Sequence, residues 1–249
     1  MKADCPPCPA KLWCAFTAGK DSSTVADLLD REDRLAGVVA FDTGIRVPGW
    51  LEHVRDVSRA RGWPLEIYRA PRPYESLVRR YGFPGPGQHN LFMSHLKGRA
   101  VRAFKKAHPG EVLASGVRLG ESRRRFGNAQ GWSRFEGVWC HAPILDWSTE
   151  RVWAYVRERD LQLSPAYKTL HLSGDCLCGA FAEPEEVHLI RTFYPKVADR
   201  IADLEETVAA EGLVRWVRGR RWGGGKRGLG FTRKQTGLEA FVCGECAGA

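Results

Sequence analysis

The chain has 249 residues, 43% apolar and 27% charged, a balance that suits a core-forming α/β protein and excludes a disordered one. Lys and Arg number 38 against 29 Asp and Glu, a net charge of +9, and 28 of the 38 cations are Arg, whose fork suits phosphate or carboxylate. No apolar run approaches the roughly 20 residues of a membrane span, the start Met1-Lys2-Ala3-Asp4-Cys5-Pro6-Pro7-Cys8 lacks an apolar signal core, and no fixed-period repeat is present, so the expected setting is a reducing cytoplasm.

Leu12-Trp13-Cys14-Ala15-Phe16 reads as a buried strand that runs into Thr17–Ser23 and then a helix to about Asp30. A second apolar run, Leu35 to Phe41, ends in Asp42-Thr43-Gly44. Leu51, Val54, Val57 and Ala60 have helical spacing that stops at Gly62. Leu65–Tyr68 is a third strand, followed by a helix around Tyr74–Tyr81. Phe83 to Gln88 is a Pro/Gly-rich loop, and Leu96, Val101 and Phe104 predict another helix, closed by His108-Pro109-Gly110.

Val112-Leu113-Ala114 is the next strand, and Trp139–Leu145 a further apolar run. Ser148 then caps a helix with Val152, Trp153 and Val156 inward. Pro184 starts a later helix, Pro195 interrupts it, and Val197, Ile201, Leu204 and Val208 form one stripe. Strands alternating with helices predict a flavodoxin- or Rossmann-like, mostly parallel sheet with helices on both faces. Residues 1–172 are expected to form this nucleotide-binding domain. Residues 173–249 are expected to form a helical, loop-rich segment with a basic arm and a Cys-rich tail.

Such sheets bind ligands beyond the carboxyl ends of their strands, at a switch point. Loops 17–23, 42–44 and 116–122 each follow a predicted strand, so all three are candidates for one crevice. Thr17-Ala18-Gly19-Lys20-Asp21-Ser22-Ser23 is the most informative. Small residues permit a tight turn, the helix N-terminus presents amides to an anion, Lys20 adds a positive charge, and Thr17, Ser22 and Ser23 add hydroxyls. It is not a Walker A loop, because Asp21 follows Gly19-Lys20 and no glycine lies five residues earlier.

The turn resembles the PP-loop, Ser-Gly-Gly-Lys-Asp-Ser, of the adenine-nucleotide α-hydrolase-like enzymes, with Thr17 and Ala18 in place of Ser and the first Gly. Phe41-Asp42-Thr43-Gly44 resembles the Asp-Thr-Gly of the phosphoadenylylsulfate (PAPS) reductase family. Ser115-Gly116-Val117-Arg118 through Glu121, Ser122 and Arg125 resembles its Ser-Gly-x-Arg-x-x-Glu-Ser-x-x-Arg. Pro143–Ser148, Val152–Tyr155 and Ser164-Pro165-Ala166-Tyr167 resemble its C-terminal half, so the likeness runs from about residue 11 to 205.

The resemblance implies that Gly19, Lys20, Asp21 and Ser22 hold the phosphate or sulfate end of an adenine nucleotide. Phe41, Asp42 and Thr43 would lie beside the adenosine, with Gly116 and Arg118 closing over it. Arg123, Arg124 and Arg125 would meet a polyanion or form a solvated charge run. PP-loop enzymes mostly use ATP and Mg²⁺ to adenylylate an acceptor and release pyrophosphate, with Asp21 or Asp42 a candidate to help hold the ion. Sulfonucleotide reductases of the same fold use a cysteine to attack sulfur, with thioredoxin releasing the product. A third reading is a nucleotide-binding accessory subunit without turnover, which Ala18 permits. Stand-alone members of this kind resemble DNA-phosphorothioation sulfurtransferases and proteins that accompany some CRISPR (type IV) systems.

Cys14 and Cys140 sit among apolar residues and are expected in the core. The other six cysteines form close pairs, 5/8, 176/178 and 243/246, a spacing typical of metal and redox sites. Reductases end in Glu-Cys-Gly-Leu-His, whose cysteine is the nucleophile. Here the end is Cys243-Gly244-Glu245-Cys246-Ala247-Gly248-Ala249, so Cys246 echoes that residue without the Leu-His. APS-type reductases bind a [4Fe–4S] cluster through Cys-Cys and a distant Cys-x-x-Cys. Cys176, Cys178, Cys243 and Cys246 match that count and order, which implies a [4Fe–4S] or Zn²⁺ site. Cys5/Cys8 is a rival pair, and free thiols are the alternative.

Residues 212–238 contain no acid, but hold Arg215, Arg218, Arg220, Arg221, Lys226, Arg227, Arg233 and Lys234 with Trp216 and Trp222 among them. Cations interleaved with aromatics suit a nucleic-acid backbone with stacked bases, an arm over the nucleotide, or a solvated loop. The expected partners are an adenine nucleotide, a nucleic acid on this arm and a second copy of the chain, with no membrane.

Overall fold

Four parallel strands, mostly of apolar residues, carry one side of the sheet from its edge inward. They are β1 (Leu12–Ala15), β2 (Leu35–Asp42), β3 (Leu65–Arg69) and β4 (Val112–Ala114). The computed structural model describes residues 9–119, 131–210 and 221–223. A hairpin, β5 (Trp132–Phe135) and β6 (Val138–His141), completes a six-stranded sheet of order β3-β2-β1-β4-β6-β5. All neighbours are parallel except β5 with β6. The chain therefore moves outward from β1 through β2 to β3, then returns to place β4 on the other side of β1. The order reverses between β1 and β4.

Strand β5 is absent from the sequence reading. Its turn, Glu136 (φ 53°) and Gly137 (φ 76°), has both central residues left-handed, as a tight hairpin requires, yet Glu is not a typical residue there. The helices are α1 (Lys20–Arg31), α2 (Trp50–Arg61), α3 (Tyr74–Tyr81), α4 (His89–Met93), α5 (Arg99–Ala107), α6 (Thr149–Glu158), α7 (Tyr167–Leu170), α8 (Pro184–Phe193) and α9 (Pro195–Ala210). A π-helical turn, Ser94–Gly98, joins α4 to α5. Ser148 caps α6 by accepting from the Arg151 amide at 3.2 Å. No helix among the described residues is long and apolar enough to cross a membrane.

Alternation along the strands assigns the two faces of the sheet. Trp13, Val39, Phe41 and Leu113 face α5, where they pack with Val101 and Phe104. Cys14 faces the other way, its thiol 3.6 Å from the Ser22 carbonyl of α1. Burial pushes that thiol far above its usual pKa, as expected of a core cysteine, whereas Cys140, expected in the core, is only partly buried at its edge and is pushed up to about 11. On α1, the buried Asp27 carboxylate accepts from Arg61, Tyr155 and Arg159, joining α1 to α2 and α6.

Backbone contacts divide the chain into two units, Met1–Tyr74 with Asn90–Leu177, and Glu75–His89 with Cys178–Ala249. The first holds the whole sheet. In the second, Val197, Ile201, Leu204 and Val208 of α9 are buried as one stripe. Trp222 is also fully buried there. Its amide donates to Glu205 at 2.8 Å, and its indole lies where a Cβ on Gly179 would sit, 2.6 Å from Nε1.

Candidate functional site

The turn after β1 is built by one hydroxyl. Ser22 Oγ accepts from the Thr17 and Gly19 amides, each at 3.2 Å, donates to the Gly19 carbonyl at 3.1 Å, and lies 3.1 Å from Thr17 Oγ1. Ala18 takes a left-handed φ of 53°, which turns the chain sharply enough for Gly19 to start α1. Trp50 of α2 fixes the turn from one side, its indole donating to the Thr17 carbonyl at 2.9 Å. The first-turn amides of α1 then point outward without carbonyl partners in the helix, an anion-attracting arrangement. Ser23, one residue further, is buried and its hydroxyl has no hydrogen-bond partner.

The loop after β4 meets this turn at the switch point. A Cβ on Gly116 would lie 2.7 Å from Asp21 Cβ and 3.0 Å from the Ser22 nitrogen, so only glycine permits the approach. Asp21 is ion-paired with Lys20 on one side. On the other it accepts from Arg118 Nε at 2.6 Å. Arg118 is 2% exposed, and Nη1 donates to the Trp147 carbonyl and Thr149 Oγ1 at 3.1 and 3.3 Å. The resemblance had Arg118 closing over a nucleotide. The structure has it buried as a brace between α1 and the start of α6.

The loop after β2 forms the next wall. Asp42 is buried, and its carboxylate accepts from the Gly44 amide (2.8 Å), Arg46 Nε (3.0 Å) and Arg69 Nε and Nη2 (2.9 and 2.7 Å). Burial by itself would raise this carboxyl. The Gly44 amide, Arg69 and Arg46 outweigh it and hold the group below the usual carboxylate range. The Phe41 side chain, expected beside adenosine, instead packs against Tyr68 and Phe104 on the α5 face.

Segment 164–177 is stitched across these loops. Ser164 N donates to the Ala18 carbonyl (2.8 Å), Lys20 N to Tyr167 Oη (3.1 Å), Thr43 Oγ1 to the Asp175 carbonyl (3.1 Å), Val47 N to the Gly174 carbonyl (3.0 Å) and Leu177 N to the Ile45 carbonyl (2.8 Å). Lys97, carried on the π-helical turn, donates to the Asp175 carboxylate at 2.8 Å, and Ser173 donates at 2.6 Å. Those two donors overcome the effect of burial and keep Asp175 below the usual carboxylate range.

Thr17–Ser23, Asp42, Thr43, Gly116 and Arg118 thus gather at the carboxyl ends of β1, β2 and β4, with Asp42, Thr43 and Arg118 buried. Ser122, Arg123, Arg124, Arg125, Arg220, Lys226, Arg227, Cys243 and Cys246 lie outside the described residues, and Arg221 is exposed. Sequence reasoning missed Trp50, Arg46, Arg69, Lys97, Ser173 and Asp175. Tyr167 lay in a quoted motif without a role. Trp50 and Lys97 carry no local signal, since neither belongs to a motif.

Asp21 lies between Lys20 and Arg118, and Asp42 between Arg46 and Arg69. Carboxylates neutralised in this way do not fit a Mg²⁺ held by the protein. Cys176 and Cys178 are partly exposed, and no three His, Cys, Asp or Glu side chains among the described residues gather into a metal site. The other cysteines of the expected four-thiolate site, Cys243 and Cys246, and the rival pair Cys5 and Cys8 lie outside the described residues.

A small-residue turn feeding a helix N-terminus at the switch point of a parallel 3-2-1-4 sheet is the architecture of the PP-loop nucleotide-binding α/β folds. Residues 11–179 match the phosphoadenosine phosphosulfate reductase domain, and the chain belongs to that family. It is 26% identical over 171 residues to the adenosine 5′-phosphosulfate reductase of Allochromatium vinosum, covering 65% of each. It is 27% identical over 161 residues to the phosphoadenosine 5′-phosphosulfate reductase of Gloeobacter violaceus, covering 63% of this chain and 66% of that one. The match therefore spans somewhat less than two thirds of the length of these relatives. A crystal structure of PAPS reductase from Candida auris, a phosphate complex, aligns with a TM-score of 0.47 at 18% identity, covering 62% of this chain and 75% of that one.

Proposed function

We propose that this chain is a PP-loop enzyme that binds ATP with its phosphates at the N-terminus of α1 and acts at the α-phosphate. An acceptor attacks the α-phosphorus, the bond to the α–β bridging oxygen breaks, and pyrophosphate leaves as the adenylyl group is transferred. The observation that carries this reading is the Thr17–Ser23 turn, whose Ser22 hydroxyl pre-forms the loop while Lys20 stands beside the outward amides. Amides and an ammonium fixed before the ligand arrives can neutralise charge developing on the leaving pyrophosphate without reorganising. The acid-free arm 212–238 supports a nucleic-acid acceptor, in keeping with thiolation or another modification.

A second reading is favoured by the relatives themselves, which are reductases of adenylylsulfate and phosphoadenylylsulfate. In that chemistry the Cys246 thiolate attacks the sulfonate sulfur, the sulfur–oxygen bond breaks, and the nucleotide leaves. A dithiol reductant such as thioredoxin then reduces the thiosulfonate, releasing sulfite and becoming a disulfide. Incubation with ATP/Mg²⁺ and, separately, with PAPS plus thioredoxin discriminates the two. AMP and pyrophosphate from ATP, lost in Lys20→Ala, support the first reading. Sulfite from PAPS, lost in Cys246→Ser and without ATP cleavage, overturns it in favour of the second.

A further inference from the structure

The β5–β6 hairpin closes one edge of the sheet, and its two faces differ in chemistry. Residues directly opposite each other on paired strands share a face. Phe135 opposite Val138, with Cys140 beyond them, faces the α5 core, where Val138 is buried. The other face presents Trp132 opposite His141 and Arg134 opposite Trp139. Trp132 stacks on His141, with ring centroids 4.4 Å apart and planes at 25°, and the Arg134 guanidinium lies 4.4 Å from the centre of the Trp139 ring. His141 is held in place by its Nδ1, which donates to the Gly131 carbonyl at 2.9 Å. Arg134 is exposed, and Trp132, Trp139 and His141 are partly exposed. Folding gains little from indoles left partly outside the core, so these rings are available to a partner.

Flat rings with a cation among them and no acid suit the unpaired bases of a nucleic acid. Aromatic faces and guanidinium planes stack on any base, and positive charge favours the backbone. The one carboxylate of residues 132–141, Glu136, sits in the turn and is ion-paired with Arg102. The stacked face is also on the side of the sheet that carries α1. His141 lies beside Ala114, and Ala114 beside Cys14, whose thiol is 3.6 Å from the Ser22 carbonyl. Two strand spacings, roughly 10 Å, therefore separate His141 from the strand that leads into the Thr17–Ser23 turn.

We propose that this outer face of the β5–β6 hairpin is a stacking platform for the unpaired bases of a single-stranded nucleic acid, with Trp132 and Trp139 as its principal rings. The platform rests on the adenylyl-transfer reading above for its purpose, and it gives the nucleic-acid acceptor of that reading a place to bind beside the nucleotide.

The test follows, by fluorescence anisotropy, the binding of a labelled single-stranded DNA, the RNA of the same sequence and an abasic DNA of the same length. Wild type is compared with Trp132→Thr, which keeps a strand-forming residue at the edge. The expected result is that wild type binds the base-bearing strands about tenfold more tightly than the abasic one. Trp132→Thr loses most of that preference, with its affinity for the abasic strand and its thermal midpoint close to those of wild type. Equal affinity of wild type for base-bearing and abasic strands overturns the proposal, since the contact is then with the backbone alone. So does a preference that survives in Trp132→Thr. Sedimentation that finds a wild-type dimer dissociated by Trp132→Thr also overturns it, because a second copy of the chain then occupies the face. Should Trp132→Thr unfold early, Trp139→Thr must lose the preference or the proposal fails. Incubation with ATP/Mg²⁺ separates the two readings. A chain that prefers base-bearing strands but releases no AMP overturns adenylyl transfer and upholds the platform, and AMP release without the preference does the reverse.

Discussion

Truncating Arg118 to Ala removes the brace between the two loops at the switch point. The guanidinium is almost wholly inaccessible, and Asp21 opposite it is also largely buried, with side-chain exposures of 2% and 13%. Removing one member of a buried pair leaves the other without compensation, a loss of about 3–5 kcal/mol. Asp21 keeps Lys20 as a neighbour, which places the expectation at the low end, about 3 kcal/mol. The Trp147 carbonyl and Thr149 hydroxyl lose a donor as well.

For a chain of this size each kcal/mol moves the midpoint by roughly 2–4 °C, so a fall of about 6–12 °C is expected in thermal unfolding followed by circular dichroism. Asp21→Asn in the same background separates the pair from the cavity. The double variant should be less unstable than the sum of the singles, with a coupling of roughly 1–3 kcal/mol. A fall of less than about 2 °C in Arg118→Ala would refute the bracing role, as would strict additivity in the double variant. In either case Arg118 would be free to serve a ligand, as the resemblance implied.

Two further outcomes follow from the same geometry. Ala18 holds φ at 53°, a conformation that costs an L-residue about 1–2 kcal/mol and glycine almost nothing. After the entropy that glycine loses on folding, Ala18→Gly should raise the urea midpoint by an amount worth about 0.5–1 kcal/mol, and a lower midpoint would contradict the strain. Asp42 is held below its unfolded value by Gly44, Arg69 and Arg46, so its ion pairs contribute fully above the unfolded pKa of about 3.9. That contribution is lost as pH falls through the lower folded pKa. Urea unfolding at pH 7 and at pH 3 should therefore show a smaller acid loss in Asp42→Asn than in wild type, and an equal loss would remove Asp42 from the account.

The elements legible in the chain were those whose signals are local. Val112–Ala114, the helix Tyr74–Tyr81 and the α9 stripe were each visible within one window, through apolar runs and 3.6-residue spacing. The Thr17–Ser23 turn was legible because small residues and a lysine before a helix have few other uses. The β5–β6 hairpin was not, since Glu136 does not advertise the left-handed turn it makes. Nor was the π-helical turn that carries Lys97, because apolar spacing alone does not separate it from ordinary helix.

By itself the sequence determined the parallel α/β class, the position of the anion-attracting turn and the location of the positive charge. Each depends on residues adjacent in the chain, whose propensities act within a few peptide units. Only the tertiary structure decided what the singled-out side chains do. Asp21 meets Arg118 across 97 positions, and Lys20 meets Tyr167 across 147. Those meetings exist because β4 returns beside β1 and reverses the strand order. A side chain's partner is set by which strands are neighbours, and strand order is a property of the whole folded chain. For the same reason Asp42 and Arg118, both candidates to face a nucleotide, are each engaged across the fold, Asp42 by Arg69 of β3 and Arg118 by Asp21 of α1.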